Sequence, residues 1–242
     1  MKFSIASAMA ASALALSLIA SPHAVAADGD WFVGAGGGFA WLEGGSDTTN
    51  GGAAFGGGGT VSNVDFDSAS TYGALLGRRI GGGWALALSY DHVGADVSFI
   101  ANFAALPGSP SAFAGEVDSD IVMLGLIYAA PLSTSNPRWS FHVGAAAGAA
   151  FNTMAVTEDG FPFDGIPDRT LAEGDNTSFA ARGTVGLGYA LDECWALHGS
   201  ASIFTLGDFE TGTSRSLPVE PITPYEVDAW GYGLTLGLTA RF

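Results

Sequence analysis

The 242-residue sequence has very little positive charge. Lys2 is its only lysine, and 8 basic residues stand against 24 acidic ones, which gives a formal net charge of −16. An acidic surface repels phosphate, so nucleic acid is excluded as a partner. Disorder of the whole chain is excluded as well, because 48% of the residues are hydrophobic and the mean hydropathy is +0.31.

Cysteine and long apolar runs are also scarce. Cys194 is the only cysteine, so the sequence offers no intrachain disulfide and no thiolate metal site. Beyond residue 26, no stretch has the roughly 18 uninterrupted apolar residues that a membrane-spanning helix requires.

The first 26 residues have the pattern of a secretory signal peptide. Lys2 precedes an apolar run from Phe3 to Ala20, and the sequence Ala24-Val25-Ala26 follows Pro22. A charged start, an apolar middle and a small-residue cleavage site predict cleavage after Ala26 or Ala27. We therefore expect a signal peptide over residues 1–26 and one domain over residues 27–242.

Large apolar residues alternate with small or polar ones through much of the remaining chain. From Tyr232 to Phe242, every second residue is Tyr, Leu, Ala or Phe, and the residues between them are Gly, Thr or Arg. The segments Trp31 to Leu42 and Phe179 to Leu191 have the same pattern. A period of two is typical of strands whose two faces differ.

This pattern predicts eight strands, joined alternately by short turns and by long loops. Long Gly-, Ser- and Asp-rich loops between short-turned hairpins are typical of an eight-stranded antiparallel up-and-down transmembrane β-barrel. The predicted strands cover residues 30–42, 67–80, 84–96, 118–131, 139–151, 175–191, 195–208 and 227–242. The predicted long loops are Glu43 to Phe66, Val97 to Val117, Asn152 to Gly174 and Phe209 to Glu226.

Aromatic residues mark both edges of an apolar band. Four tryptophans, 53, 55 and 56 residues apart, begin alternate strands, and three strands carry two aromatics ten residues apart. Ten tilted strand residues rise roughly 25 Å, the height of the apolar band of an outer-membrane barrel. The predicted interface aromatics are Trp31, Trp41, Trp84, Trp139, Tyr189, Trp195, Tyr232 and Phe242. The alternative, a soluble β-sandwich or lipocalin-like barrel, would need a well-charged opposite face.

Charge separates the two ends of the predicted barrel. Nineteen of the acidic residues lie in or beside the long loops. Arg78, Arg79, Arg138 and Arg241 lie at the opposite end. The hydrophobic loop from Ser98 to Phe113 is unusual for a loop facing water, and it either folds over the barrel mouth or offers an adhesive surface.

Several segments resemble the small outer-membrane β-barrel proteins of Gram-negative bacteria, the opacity-like and porin-like family. Residues 30–36 (DWFVGAG) are similar to the first strand of that family, residues 71–90 resemble its second hairpin, and residues 237–242 (GLTARF) resemble its last strand. The resemblance implies an outer-membrane location, contact with lipid and lipopolysaccharide, and recognition of Phe242 by the outer-membrane assembly machinery. The family includes adhesins, structural proteins and small channels, so an extracellular ligand of the loops is also a candidate partner.

The inner face of an eight-stranded barrel is narrow enough to be filled by side chains. By alternation, the polar residues that line this interior are Arg79, Asp91, His142, Arg182, His198, Asp208 and Arg241. Opposite charges in a narrow interior are expected to pair. Three hypotheses remain open: a structural polar plug, a narrow path for water or ions, and a gated pore.

One pair of residues bears on an enzymatic role. His198 and Ser200 have the spacing of a lipid A deacylase pair, with Glu210 or Asp208 as a supporting acid. Both are expected to face the interior, where a lipid chain cannot reach them, and Ala201 follows the serine where such enzymes have asparagine. We therefore predict a non-enzymatic protein with a structural or surface-interaction role and with no catalytic, cofactor or metal site, and a narrow porin-like channel is the alternative.

Overall fold

The computed structural model describes residues 30–45, 49–50, 59–103, 108, 110–133, 135, 137–159, 169–216 and 220–242. The predicted signal peptide, 1–26, lies outside this range. Among the described residues, no helix has the length and apolar character needed to cross a membrane.

The chain is built of β-strands, as alternation predicts. In the described part of the chain, eight long strands form the wall and five shorter ones lie at the long-loop end. In chain order, the strands are β1 Trp31–Gly45, β2 Thr49–Asn50, β3 Gly59–Phe66, β4 Ala69–Gly81, β5 Trp84–Phe103, β6 Ser111–Pro131, β7 Trp139–Asp159, β8 Arg169–Thr170, β9 Gly174–Ala190, β10 Trp195–Glu210, β11 Ser214–Arg215, β12 Glu220–Pro221 and β13 Glu226–Arg241.

The eight long strands close into a ring. Around it the order is β1, β4, β5, β6, β7, β9, β10 and β13, and each strand pairs antiparallel with its neighbours. Pairing of β1 with β13, from Phe32 opposite Arg241 to Gly45 opposite Asp228, closes the ring. The predicted all-β, eight-stranded antiparallel up-and-down barrel is confirmed.

The two faces of the wall differ in the way that the alternation predicts. Outward-facing residues are large and exposed, such as Phe179 and Leu236, each 68% exposed. Inward-facing residues in the half nearer the short turns are mostly small or polar, and a few, such as Phe32 and Leu75, are large and apolar. Gly77 is one example: the ring of Phe32 lies where a Cβ at position 77 would stand.

The strands extend further at the long-loop end than predicted. β5 continues to Phe103, β6 begins at Ser111 and β7 continues to Asp159. The predicted loop from Val97 to Val117 was therefore too long, because the period-two pattern continues through it. Val97, Phe99 and Ala101 are buried, whereas the alternate residues remain more exposed.

One β-bulge changes which face a predicted interior residue occupies. The register of β10 against β13 shifts between Thr205 and Gly207, and Gly207 has a φ of +69°, which glycine adopts without steric cost. After the bulge, Phe209 is buried inside and Asp208 is exposed outside, opposite Asp228. The interior assignment of Asp208 was therefore wrong, since strict alternation does not account for the extra residue.

Candidate functional site

The middle of the barrel interior is crossed by one ion pair. Arg182 on β9 donates from Nη1 to Asp91 Oδ2 of β5 at 2.7 Å and from Nη2 to Ser89 Oγ at 3.0 Å. Both charged side chains are about four-fifths buried. Charge-assisted hydrogen bonds of this length are strong, so the pair joins two walls of the barrel.

Above this pair, towards the long loops, the interior is mainly apolar and closely packed. Its largest fully buried side chains include Phe99, Phe113, Phe209, Met154 and Leu206. The rings of Phe99 and Phe113 stack with centroids 5.1 Å apart, and Tyr225 packs against both at 5.7 and 5.3 Å. We call this region the apolar plug, and it fills the lumen on the long-loop side of Arg182.

A buried amide fixes the bulge beside the apolar plug. Asn152 on β7 donates to the carbonyl oxygens of Leu206 at 2.9 Å and Asp208 at 2.7 Å. Its own oxygen accepts a 2.7 Å bond from the Ser119 hydroxyl. Backbone carbonyls exposed by the bulge are thereby satisfied inside an apolar region.

A cap closes the long-loop end. β11 pairs with β12, and Leu171 bridges to Arg215, so residues 211–216 and 220–225 fold towards β8. The Ala172 amide donates to Ser214 O at 2.8 Å. Burial raises the pKa of the Tyr225 phenol, the neighbouring Glu158 raises it further, and Arg215 acts in the opposite direction. Tyr225 therefore stays neutral as part of this cap.

Below the ion pair, towards the short turns, two histidines face the lumen. The rings of His142 and His198 meet edge to face with centroids 6.2 Å apart. Each ring lies against a glycine, His142 against Gly186 and His198 against Gly237, where a Cβ would be 2.5 Å from the ring. These glycines make room for the rings, since a larger residue would displace them.

Cavities occupy this lower half. One of about 160 Å³ reaches from the ion pair of Arg182 and Asp91 down to the two histidines. A second, of about 410 Å³, continues from the histidines to the short-turn mouth and is lined by Arg79, Arg138 and Arg241. The short-turn half of the lumen is thus a pocket whose inner end is the ion pair.

The histidine–serine–acid arrangement of a lipid A deacylase is not formed. Ser200 shares a 2.7 Å hydrogen bond with Thr235, and His198 Nδ1 lies 3.1 Å from the Thr239 hydroxyl instead. Asp208 lies on the outer face, as the bulge dictates. No serine–histidine–acid relay connects these residues.

The predicted interface aromatics lie on the outer face at two levels. Trp31, Trp84, Trp139, Trp195, Tyr189 and Phe242 lie towards the short turns, and Trp41 stacks with Tyr232 towards the long loops at 5.5 Å. The Arg78 guanidinium lies 5.8 Å from the Trp31 ring centre, so Arg78 faces outward whereas Arg79 faces inward.

An outward-facing polar cluster was not identified from the sequence. His92 Nδ1 lies 2.9 Å from Asp120 and Nε2 lies 3.4 Å from Asp118. Tyr90 donates to Asp120 at 2.7 Å, and Tyr72 stacks on His92 at 4.8 Å. Spacing is the sequence signal for this cluster: Tyr90 and His92 are two residues apart, and so are Asp118 and Asp120 on the next strand. The described residues contain no group of three or more acidic, histidine or cysteine side chains that could hold a metal ion.

Acidic side chains meet across strands outside the long-loop end of the apolar band. Asp96 is opposite Glu116, Asp208 is opposite Asp228 and Glu210 is opposite Glu226. A hydrogen bond from the protonated Asp208 carboxyl to Asp228, together with burial and the nearby negative charges, raises the pKa of Asp208 to about 6. Like charges placed directly opposite are unfavourable, so this rim carries a strong local negative potential.

Comparison with known proteins agrees with this architecture. The family model described as "Outer membrane protein beta-barrel domain" matches residues 10–242. A comparison with curated proteins finds no match.

Solved structures that share the fold include two outer-membrane proteins. The outer membrane protein OprG from Pseudomonas aeruginosa is 16% identical, with a TM-score of 0.52 over 88% of this chain and 96% of that chain. The outer membrane protease OmpT from Escherichia coli is 9% identical, with a TM-score of 0.52 over 88% of this chain and 97% of that chain. At these identities the likeness concerns the fold alone, and a fold shared with a protease does not determine a role.

Proposed function

The chain belongs to the outer membrane protein β-barrel family, and from that premise we propose that it is a non-enzymatic surface protein whose acidic extracellular rim binds cationic partners. Its location is the outer membrane. Short turns face the periplasm and long loops face outward in such barrels. The acidic rim therefore faces the cell exterior.

The observation that carries the proposal is the apolar plug. Phe99, Phe113 and Tyr225 are each at most 2% exposed and lie in mutual contact across the lumen. A packed apolar interior offers water and ions no polar path and excludes them at a high desolvation cost. With the long-loop half of the lumen filled in this way, the parts of the exterior side that remain for recognition are the outer rim and the surface above the membrane.

The rim has the shape and charge for a cationic partner. Asp65, Asp67, Asp96 and Glu116 line an outward groove of about 480 Å³ formed by β3, β5 and β6. These strands project beyond the apolar band, so the groove stands clear of the lipid. A cationic partner would relieve the repulsion between opposed carboxylates such as Asp96 and Glu116.

Two further partners belong to the same proposal. The exposed aromatics and leucines of the outer face would contact outer-membrane lipid and lipopolysaccharide. Phe242, which is 41% exposed beside Trp31, would be read by the assembly machinery during insertion.

The alternative is a narrow porin-like channel, and the lower cavities favour it. The inner cavity is lined largely by small residues, and together the two cavities reach from the periplasmic mouth to Arg182. Passage would require the ion pair to open and the apolar plug to part. A lipid A-modifying enzyme stays the least favoured function, because Ser200 bonds to Thr235 inside the lumen.

Binding of a cationic probe by protein in nanodiscs tests the surface role. We expect a fluorescent oligoarginine peptide to bind wild type in a salt-sensitive manner, and the double variant Asp96→Asn and Glu116→Gln to bind at least about threefold more weakly. The matched control, Asp192→Asn with Glu193→Gln, removes the same charge at the periplasmic turn. Equal weakening by both variants, or no binding by wild type, would contradict the proposal.

A further inference from the structure

The periplasmic mouth of the barrel has an unusual charge distribution. The cavity of about 410 Å³ is lined by Arg79, Arg138 and Arg241 and, at its inner end, by His142 and His198. Among the residues that the structure describes, no aspartate or glutamate lines it. This contrasts with the centre of the lumen, where Arg182 is matched by Asp91.

Two of these arginines are not neutralised by an acidic neighbour in the pocket. Arg79 and Arg241 lie on β4 and β13, on either side of β1, and the charge of Arg79 acts on the half-buried Arg241 guanidinium. In the described part of the chain, no ion pair of 4 Å or less joins either arginine to a carboxylate, and Asp30 is the acidic residue whose charge reaches Arg241. Two like charges in a confined space are unfavourable unless an anion lies between them.

The remaining wall of the cavity is apolar. Phe32, Leu75, Ile127 and Pro131 are among its lining residues. Concave sites of some 300–1,000 Å³ with an apolar wall and a few convergent polar groups are typical of small-molecule pockets. The arginines would hold a charged head, and the apolar wall would take the rest of the ligand.

We propose that the periplasmic mouth is a binding pocket for a small organic anion, a carboxylate or sulfonate on an apolar body, held by Arg79 and Arg241. Guanidinium forks match the two oxygens of a carboxylate in bidentate geometry. Electrostatic attraction of the arginine-lined mouth would draw the anion in from the periplasm. Ligands enter and leave by the same mouth, because the ion pair and the apolar plug close the other end.

The chain supplies a matched control for this pocket. Arg78 and Arg79 are adjacent, carry the same charge and lie at the same end of β4. Arg78 lies over the Trp31 ring on the outer face, whereas Arg79 lines the pocket. Replacing either arginine changes the net charge equally. A difference in anion binding between the two variants would therefore report on the pocket and not on the net charge.

The test is binding of 4-fluorobenzoate to the protein in nanodiscs, followed by fluorine NMR. We expect saturable binding by wild type, about tenfold weaker binding by Arg79→Gln, and no change for Arg78→Gln. Wild type should also bind the neutral isostere 4-fluorobenzamide about tenfold more weakly than the acid, and this comparison requires no variant. Retention of the heat-dependent gel shift shows that each variant is folded.

Three results would overturn the proposal. Wild type could show no saturation with 4-fluorobenzoate. The amide could bind as well as the acid, which would indicate an apolar cavity without anion recognition. Equal losses for Arg78→Gln and Arg79→Gln would indicate a general effect of surface charge.

Discussion

Arg182 and Asp91 are 91 residues apart in the sequence and meet inside the barrel at 2.7 Å. The pair divides the lumen. The side towards the long loops is packed with apolar residues, and the side towards the short turns holds the two cavities. Its position makes it both a structural link and the inner limit of the periplasmic pocket.

Breaking this pair should destabilise the barrel. Arg182→Ala leaves Asp91 largely buried without its cation, and we expect a loss of about 2–4 kcal/mol in the free energy of unfolding. Guanidinium unfolding in lipid vesicles measures the loss. Arg78→Ala on the outer face is the control and should cost less than about 1 kcal/mol. A double-mutant cycle with Asp91→Ala should show strong coupling, and additive effects would contradict the pairing.

The apolar plug should depend on its aromatic contacts. Phe113→Ala removes a ring that is 1% exposed and stacks on Phe99, so we expect a loss of about 3–5 kcal/mol in the free energy of unfolding. Phe113→Leu keeps most of the apolar volume and should cost clearly less. The same unfolding assay compares them. If both variants cost under about 1 kcal/mol, the plug is not closely packed.

The outward acidic pair should make stability depend on pH. The pKa of Asp208 is raised in the folded protein to about 6, so the folded state holds this proton more tightly than the unfolded state does. Its contribution is complete below the ordinary carboxyl pKa and is lost as the pH rises through about 6.

The Asp208→Asn variant has no carboxyl group at this position, so it does not lose stability there as the pH rises through about 6. The variant should be more stable than wild type at pH 8 by less than about 1 kcal/mol, since the pair is exposed and screened. The difference should disappear at pH 4. Unfolding midpoints at the two pH values measure it, and a larger gain at pH 4 than at pH 8 would contradict the assigned direction.

The contact of Phe32 with Gly77 predicts a compensating pair. Gly77→Ala places a methyl group where the Phe32 ring lies, so we expect destabilisation by about 1–3 kcal/mol. Phe32→Leu should recover part of that loss when combined with Gly77→Ala. Unfolding of the four proteins in one lipid checks this. If Gly77→Ala alone and the double variant lose the same free energy of unfolding, the cost does not arise from the contact with Phe32.

Much of the barrel could be predicted because a single pattern, the alternation of large apolar with small or polar residues, marks its strands. Alternation along Tyr232 to Phe242 reflects lipid on one side and a narrow interior on the other, and the aromatics mark where the lipid ends. The same pattern could not locate the bulge at Gly207, because an extra residue leaves no periodic signal. Asp208 was placed on the wrong face for that reason.

Contacts between strands that are not neighbours also could not be predicted from the sequence. Asp91 and Arg182 could be assigned to the interior, but their pairing depends on the register of strands that are not neighbours. The hydrophobic segment from Ser98 to Phe113 was recognised as unusual, yet the Tyr225 ring that completes its stacking lies over 100 residues further along the chain. Its composition suggested a loop, whereas in the structure the two ends of this segment belong to β5 and β6.

The sealed lumen is tested most directly by single-channel recording of the refolded wild-type protein in a planar lipid bilayer. A barrel filled by the apolar plug should leave the bilayer silent across the applied voltages, with insertion verified by the heat-dependent gel shift of the same preparation. Discrete and reproducible conductance steps from the wild-type protein would contradict the sealed interior and would favour the channel.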